Sequence, residues 1–169
     1  MMRSRLVRTV AVAILSLLMA GCVPHVPTDP NGTLERVSGG VLRVGVSPYP
    51  PWTVVESGQE PRGVEPDLVR DFAERIDAEV AWEVSGESEL TQLLQDGRLD
   101  LVIGGLESAT PWSNQVGLTR PYLTTVDVDG KRTDHVMAIQ NGENDFLFTL
   151  EDHLAMAEIQ VPDSVRVDR

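Results

Sequence analysis

Residues 99–103 read Leu-Asp-Leu-Val-Ile, an almost unbroken apolar run that the pair Gly104-Gly105 brings to an end. A run of this kind is typical of a strand in the middle of a parallel sheet, where helices cover both faces. The residues just before it place leucines at helical spacing, which predicts a short helix that Ser88 caps and Gly97 stops. The centre of the fold is therefore predicted to be a buried parallel strand preceded by a helix.

Two further strands and a helix are predicted upstream of this run. Residues 41–46 are rich in Val, and residues 79–84 alternate apolar and polar side chains, so each segment predicts a strand. Between them, Leu68, Phe72 and Ile76 recur every fourth residue and form one apolar helix face. The order strand, helix, strand, helix, strand is the α/β pattern, and helical crossovers make the three strands parallel.

Downstream, residues 135–139 predict another strand and residues 144–156 a closing helix. The fold class is therefore α/β, a mostly parallel sheet with flanking helices. Residues 41–160 are assigned to this single domain, and residues 161–169 are expected to form a disordered tail.

The amino terminus has the order of a secretory signal. Three arginines precede an apolar run over residues 10–18, which is too short to span a bilayer. Residues 19–22 resemble the lipobox of bacterial lipoproteins, which implies cleavage after a signal peptide at 1–21, lipidation of Cys22 and anchoring on the extracytoplasmic side of a membrane. An ordinary signal peptide with an incidental cysteine is the alternative. Residues 22–40 are rich in Pro and Gly and are predicted to form a flexible tether.

Composition and motifs exclude several classes of function. The 169 residues include 26 acidic and 14 basic side chains and carry a formal charge of −12, which argues against a nucleic-acid partner. A single cysteine excludes an internal disulfide and a cysteine-based zinc site. The Gly104-Gly105 pair lacks a phosphate-binding continuation, and His25, His135 and His153 are expected at the surface or at strand edges. We predict no cofactor, no metal and no catalytic residue.

Several segments together resemble the first lobe of the family 3 bacterial solute-binding proteins, the extracytoplasmic receptors of polar amino-acid ABC importers. They occur in the family's order and read LRVGV at 42–46, PPW at 50–52, GVEPDL at 63–68, GRLDLV at 97–102 and LTRPY at 118–122. The resemblance implies a periplasmic-binding-protein-like lobe, a role in transport, a small polar solute as ligand and a membrane transporter as partner.

Members of this family have two lobes, and the second is inserted between the Pro-Tyr segment and a return strand. Here only residues 126–134 separate these two segments. At roughly 3.3 Å per residue they reach about 30 Å, whereas a domain needs at least about 50 residues. The second lobe is therefore predicted to be absent, with a tight Asp-Gly turn over residues 127–131 in its place.

The candidate site lies at the carboxyl ends of the strands, where α/β sheets bind ligands. The loops 48–52 and 104–112 leave two of these ends and should share one rim. The alternative interpretations are that the aromatic rings cover the sheet end, that the carboxylates cap the following helix, and that Thr110 and Trp112 begin a short helix that packs inward. The candidate ligand-binding residues are Tyr49, Trp52, Glu65, Gly105, Glu107, Ser108, Thr110 and Trp112.

One position bears on the kind of ligand. The resemblance implies an Arg after the third strand that binds the α-carboxylate of the ligand, and a comparison without gaps places Trp112 there. Because Trp cannot replace the Arg, we interpret the site as one for a cationic or apolar ligand that contacts Trp52, Trp112 and Glu107.

The leading hypothesis is a membrane-anchored, non-enzymatic receptor or accessory subunit of a transport system. One lobe offers about half of the contacts of a closed site, so a micromolar affinity, about 8.2 kcal/mol, falls towards a millimolar one, about 4.1 kcal/mol. The first alternative is a lobe whose rim, with Trp52, Trp112 and Tyr122, docks another protein or a second copy as a homodimer. A periplasmic dehydratase-like enzyme ranks last, because one lobe does not supply a closed pocket.

Overall fold

A computed structural model describes residues 29–168 of the chain. This part forms one α/β lobe that contains a five-stranded sheet, a separate two-stranded sheet and four helices. The strands are β1 (Val41–Val46), β2 (Glu79–Val84), β3 (Leu101–Ile103), β4 (Gly117–Leu118), β5 (Leu123–Val126), β6 (Arg132–His135) and β7 (Ala138–Ile139). The helices are α1 (Thr33–Val37), α2 (Val64–Arg75), α3 (Glu87–Gln95) and α4 (Asn144–Met156).

The main sheet has the order β2-β1-β3-β7-β4. Strand β1 pairs in parallel with both β2 and β3, so that Val44 lies opposite Trp82 on one side and Leu101 on the other. This confirms the predicted parallel core of three strands. Strand β7 then runs antiparallel to β3 and β4, and the sheet is therefore mixed.

Helices cover both faces of this sheet, as the apolar run of β3 predicts. On one face α2 packs against α4, and the rings of Phe72 and Phe146 meet with their centroids 5.8 Å apart. On the other face α3 contributes Leu90 and Leu94, which pack with Val102 in a second cluster. Alternate residues of the central strands point to opposite faces, so each face receives its own apolar core.

The predicted tether does not hold for its described part. Within residues 29–40 the chain forms α1, and Val37 is fully buried in the main core. Asp29 accepts hydrogen bonds from the backbone amides of Leu34, at 2.8 Å, and Asp145, at 3.0 Å, and it thereby ties α1 to α4. The sequence does not predict this helix, because a helix of five residues gives almost no periodic signal. The predicted signal peptide and Cys22 lie outside the described residues.

The predicted disordered tail is also packed in its described part. The backbone amide of Val126 donates to the carbonyl of Arg166 at 2.9 Å, and Thr125 pairs with Val167. Residues 166–168 thus pair with the outer edge of β5, which offers them unpaired backbone groups. Val161 and Val165 pack against the main core and order the part of the segment that precedes this pairing.

The structure differs from three smaller predictions. Helix α3 begins at Glu87 with Gly86 before it, so Ser88 lies inside the helix and does not cap it. Residues 111–115 form consecutive turns, and Thr110 begins no helix there. The predicted strand over 135–139 is divided between the end of β6 and β7.

The predicted turn in place of a second lobe is confirmed. Strands β5 and β6 form a hairpin in which the amide of Asp127 donates to the carbonyl of Lys131 at 3.0 Å. Gly130 has φ 82°, a conformation that favours glycine. Within residues 29–168, none of the helices has the length and apolar character that a membrane crossing needs.

Candidate ligand-binding face

The loops that follow β1 and β3 lie side by side, as predicted. The amide of Ser47 donates to the carbonyl of Ile103 at 2.9 Å, which continues the pairing of the two strands into their loops. Gly105 has φ 66°, and a side chain there would collide with the ring of Tyr49 and come within 3.0 Å of Trp52. Glycine at this position therefore lets the aromatic side chains of one loop pack directly on the backbone of the other.

Glu65 stabilises the contact between these two loops. It lies in the first turn of α2 and is fully buried. One carboxylate oxygen accepts hydrogen bonds from the amides of Gly104, at 2.8 Å, and Gly105, at 2.9 Å. The other accepts from the hydroxyl of Tyr122 at 2.7 Å. The side chain of Glu65 is therefore bonded to the backbone of the loop and is shielded from solvent, and its contact with a ligand stays a prediction.

Burial raises the pKa of Glu65 to about 7, although the bonds from Gly105, Tyr122 and Gly104 favour the carboxylate. No guanidinium or ammonium group within residues 29–168 pairs with it. Burial also raises the pKa of Tyr122 well above its usual value, and the charge of Glu65 adds to this effect. Tyr122 therefore keeps its proton throughout the physiological range and donates a hydrogen bond to Glu65.

Three rings meet beside this carboxylate. The ring of Trp52 lies against that of His135 with centroids 4.0 Å apart, and Tyr122 stands edge-on to Trp52 at 6.4 Å. Nε2 of His135 lies 2.9 Å from the hydroxyl of Thr125, whereas its Nδ1 is buried and has no hydrogen-bond partner in the described part of the chain. Burial lowers the pKa of His135, and Glu107 and Asp134 oppose this shift.

Two shallow cavities open on the rim, and Tyr49 and Glu107 line both of them. The first has a volume of 220 Å³ and is lined by Tyr49, Glu87, Gly104, Gly105, Leu106, Glu107, Ala109, Thr110 and Pro111. The second has a volume of 230 Å³ and is lined by Tyr49, Trp52, Glu107, Thr125, Val126, Asp127, Thr133, His135, Ser164, Val165 and Arg166. We call Tyr49, Trp52 and Glu107 the acidic-aromatic face. A larger depression of 660 Å³ lies at the opposite, amino ends of β1 and β2, where sheets of this type do not bind ligands.

Five of the predicted ligand-binding residues, Tyr49, Trp52, Gly105, Glu107 and Thr110, therefore line the two cavities. Ser108 and Trp112 are not among the described residues that line either one. The amide of Ser108 donates to the carbonyl of Asp134 at 2.9 Å. Trp112 packs against the second core cluster, and its Nε1 donates to Glu87 at 3.4 Å, so the structure does not bring it to Trp52.

Sequence reasoning missed His135 and the segment 164–166. His135 was expected at the surface or at a strand edge, yet it is 4% exposed. The apolar residues 136–139 that follow it are the signal that could have predicted its burial. Nothing in residues 164–166 predicts that they line a cavity, because their position follows from the pairing with β5. Among residues 29–168, no cluster of His, Cys, Asp or Glu side chains is placed to hold a metal ion.

Comparison with known proteins agrees with this architecture. Residues 42–158 match the bacterial extracellular solute-binding proteins, family 3. This match covers more than half of the chain, and the chain belongs to that family. No curated protein matches the sequence.

Solved structures show the same fold. The arginine-bound form of domain 1 from TmArgBP, a T. maritima protein, is 23% identical, with a TM-score of 0.61 over 70% of this chain and 94% of that chain. An ancestral cationic amino acid solute binding protein is 16% identical, with a TM-score of 0.63 over 73% of this chain and 92% of that chain. A periplasmic binding protein of Salmonella typhimurium with high arginine specificity is 12% identical, with a TM-score of 0.59 over 68% of this chain and 92% of that chain. Identities this low support the fold alone.

Proposed function

We propose that the chain is a non-enzymatic receptor or accessory subunit of a transport system, and that it binds a small cationic solute on the acidic-aromatic face. The observation that carries this proposal is the position of Glu107. Its carboxylate forms no ion pair or hydrogen bond within residues 29–168, and it lines both cavities beside the half-exposed ring of Tyr49. A free carboxylate next to aromatic rings attracts a cation. L-Arginine is the solute that we choose to test, because neighbours of the same fold include arginine-bound proteins.

The open face makes the binding weak. Both cavities are shallow, so a solute keeps much of its surface in water, whereas closed pockets bury about 70 to 90% of a ligand. We therefore expect a dissociation constant near the millimolar range, about 4 kcal/mol of binding free energy. Such a receptor suits a solute that is abundant at the membrane surface.

Isothermal titration calorimetry with L-arginine tests the proposal. The Glu107→Gln variant should bind about tenfold more weakly, because it loses a charge-assisted contact. The Tyr49→Ala variant should lose about threefold, the value expected for an exposed cation–π contact. Phe148→Ala is the matched control, since Phe148 is an exposed ring on α4 and lines neither cavity. Absence of any heat with L-arginine, together with formation of a dimer, would instead support a docking role for the rim.

The membrane anchor is a second part of the proposal. We infer that Cys22 carries lipid and holds the protein on the extracytoplasmic side of a membrane, beside its transporter. Labelling with radioactive palmitate should mark the chain and leave the Cys22→Ser variant unmarked. Recovery of both forms in the soluble fraction would contradict the anchor.

The non-enzymatic part of the proposal rests on the same open face. Acid-base catalysis benefits from a site that excludes water, and both rim cavities are open to solvent. Incubation of the purified chain with cyclic carboxylic acids should leave them unchanged by mass spectrometry. Turnover that depends on the protein concentration would contradict the proposal.

A further inference from the structure

Glu65 is bonded to the two loops that carry the acidic-aromatic face. Its carboxylate accepts bonds from the amides of Gly104, at 2.8 Å, and Gly105, at 2.9 Å, and its own amide donates to the carbonyl of Trp52 at 3.1 Å. Glu107 follows Gly105 by two residues in the same loop. One buried residue therefore connects the backbone segments that position the members of the face.

Only the backbone of one loop separates this carboxylate from a cavity of the rim. Gly104, Gly105 and Glu107 line the 220 Å³ cavity, whereas Glu65 is fully buried and is not among the described residues that line it. Both glycine amides bond the carboxylate directly, so a single layer of backbone lies between Glu65 and a cation in the cavity. A negative charge this close stabilises a cation, and it does so more strongly where water is excluded.

No cation in the described part of the chain neutralises Glu65. None of the ion pairs within residues 29–168 includes it. On α2 itself, Asp67 is exposed and pairs with Arg70 at 2.9 Å. Beside α4, Arg120 pairs with Glu151 at 2.8 Å. The charge of Glu65 is therefore stabilised by neutral donors alone, and it remains available to a cationic ligand.

The protonation of Glu65 changes close to neutral pH. Burial raises its pKa to about 7. The other titratable groups of the rim are Tyr122 before β5, His135 on β6, Tyr49 on the loop after β1 and Glu107 on the loop after β3. Burial lowers the pKa of His135, so this ring is already neutral at about pH 7. The charge of Glu65 therefore changes in a pH range in which His135 carries none.

We propose that Glu65 is a positioning residue of the ligand site, and that a cation bound on the acidic-aromatic face displaces the proton of its carboxyl group into solvent. This inference rests on the proposed function and adds a regulation to it. Cation binding and ionisation of Glu65 favour each other, because the coupling between two sites is reciprocal. The protein therefore binds its cation more tightly as the pH rises through neutrality and releases it on acidification.

Isothermal titration calorimetry of the full chain with agmatine, which is L-arginine without its carboxylate, tests this coupling. Agmatine keeps both positive charges between about pH 6.5 and about pH 8. The unaltered chain should bind it about threefold more tightly at the higher pH, because an opposite charge nearby favours the ionised carboxyl group. Titrations at neutral pH in two buffers of different ionisation enthalpy should show release of a fraction of a proton on binding.

The Glu65→Gln variant should bind agmatine with the same affinity at both pH values and release no proton, because an amide has no proton to displace. A merely structural role of Glu65 would weaken binding at both pH values and leave the threefold change intact. Asp67→Asn is the matched control, since Asp67 is exposed on the same helix, and it should keep both the change in affinity and the proton release.

Tyr122→Phe is a second variant that keeps the carboxyl group. It removes the hydroxyl bond that favours the carboxylate, so the rise in affinity should move to higher pH. A rise at unchanged pH would contradict the role of the Glu65 charge.

The outcomes separate this inference from the proposed function. Binding that is independent of pH in the unaltered chain, or a threefold change and proton release that persist in Glu65→Gln, would overturn the coupling and leave the proposed function standing. If agmatine binds at neither pH, the proposed function and this inference fail together. A threefold change with proton release that Glu65→Gln abolishes and Asp67→Asn keeps supports the coupling.

Discussion

Two carboxylates are buried at opposite ends of the central strand β3, and they are stabilised in different ways. Asp100 precedes the strand and is bonded by the guanidinium groups of Arg36 and Arg43, each with a shortest contact of 2.6 Å. Glu65 lies beneath the loop that follows the strand and receives hydrogen bonds only from neutral groups. Burial raises the pKa of Asp100, but the bonds from Arg43 and Arg36 outweigh it and the net pKa is lowered.

The difference separates a structural end of the sheet from a ligand-binding end. A carboxylate with two cations beside it stays ionised at every ordinary pH and fixes the strands in place. Glu65 has no cation of its own, so its charge responds to pH just where the rim loops meet. Placing an arginine beside Glu65 would also put a fixed positive charge near the face that we propose to bind a cation.

The largest expected effect is a loss of stability with rising pH that depends on Glu65. Its pKa is about 7 in the folded protein against an ordinary value of 4.5, so the folded state holds an extra proton between these pH values. The contribution of Glu65 to the free energy of unfolding is therefore fully present below pH 4.5. It is lost, by on the order of 3 kcal/mol, as the pH rises through about 7. Urea unfolding at a series of pH values measures this change.

The Glu65→Gln variant should flatten that profile, because an amide does not titrate and its oxygen can still accept the bonds from Gly104 and Gly105. The Asp67→Asn variant, on an exposed neighbour in α2, should keep the profile of the unaltered chain. Asp100 acts in a different pH window, since its stabilisation is lost only as the pH falls below its ordinary value of 3.8. An unchanged profile in Glu65→Gln would remove the contrast between the two carboxylates.

The second-largest expected effect is the loss of stability when the carboxylate of Asp100 is removed. Asp100→Ala should lower the free energy of unfolding at pH 7 by about 2 kcal/mol. This is less than the cost of breaking a fully buried pair, because the side chains of Arg36 and Arg43 remain 43% and 34% exposed to water. Asp67→Ala, which breaks the exposed pair with Arg70, should cost less than about 1 kcal/mol under the same conditions. Equal losses in the two variants would show that burial of Asp100 contributes nothing.

The smallest effect concerns the hydroxyl above Glu65. Tyr122→Phe should cost about 1 kcal/mol at pH 5 and more at pH 8, because the lost bond stabilises the charged carboxylate most. It should also raise the pKa of Glu65 further and move the pH midpoint upward. Tyr49→Phe is the control, since Tyr49 is 49% exposed and makes no bond to Glu65. A midpoint that does not move would show that Tyr122 leaves the charge of Glu65 unaffected.

Much of the fold could be predicted because it follows local rules. The bounds of β1 and β2 agree with the predicted segments, and α4 spans the predicted residues 144–156. Apolar spacing and proline or glycine at the ends specify such elements within a few residues of sequence. Helix α1 and the order of residues 161–168 were missed because a short helix and an irregular segment depend on partners more than 40 residues away.

The same distinction between local and long-range effects applies to the candidate site. The sequence by itself determined that the loops 48–52 and 104–112 meet at one rim, because parallel strands place their carboxyl ends together. Only the tertiary structure decided which side chains face solvent: Glu65 turns inward to bond Gly105, and Trp112 packs against the second core cluster. Spacing along a chain specifies the edge on which a residue lies, whereas burial and long-range hydrogen bonds select its orientation.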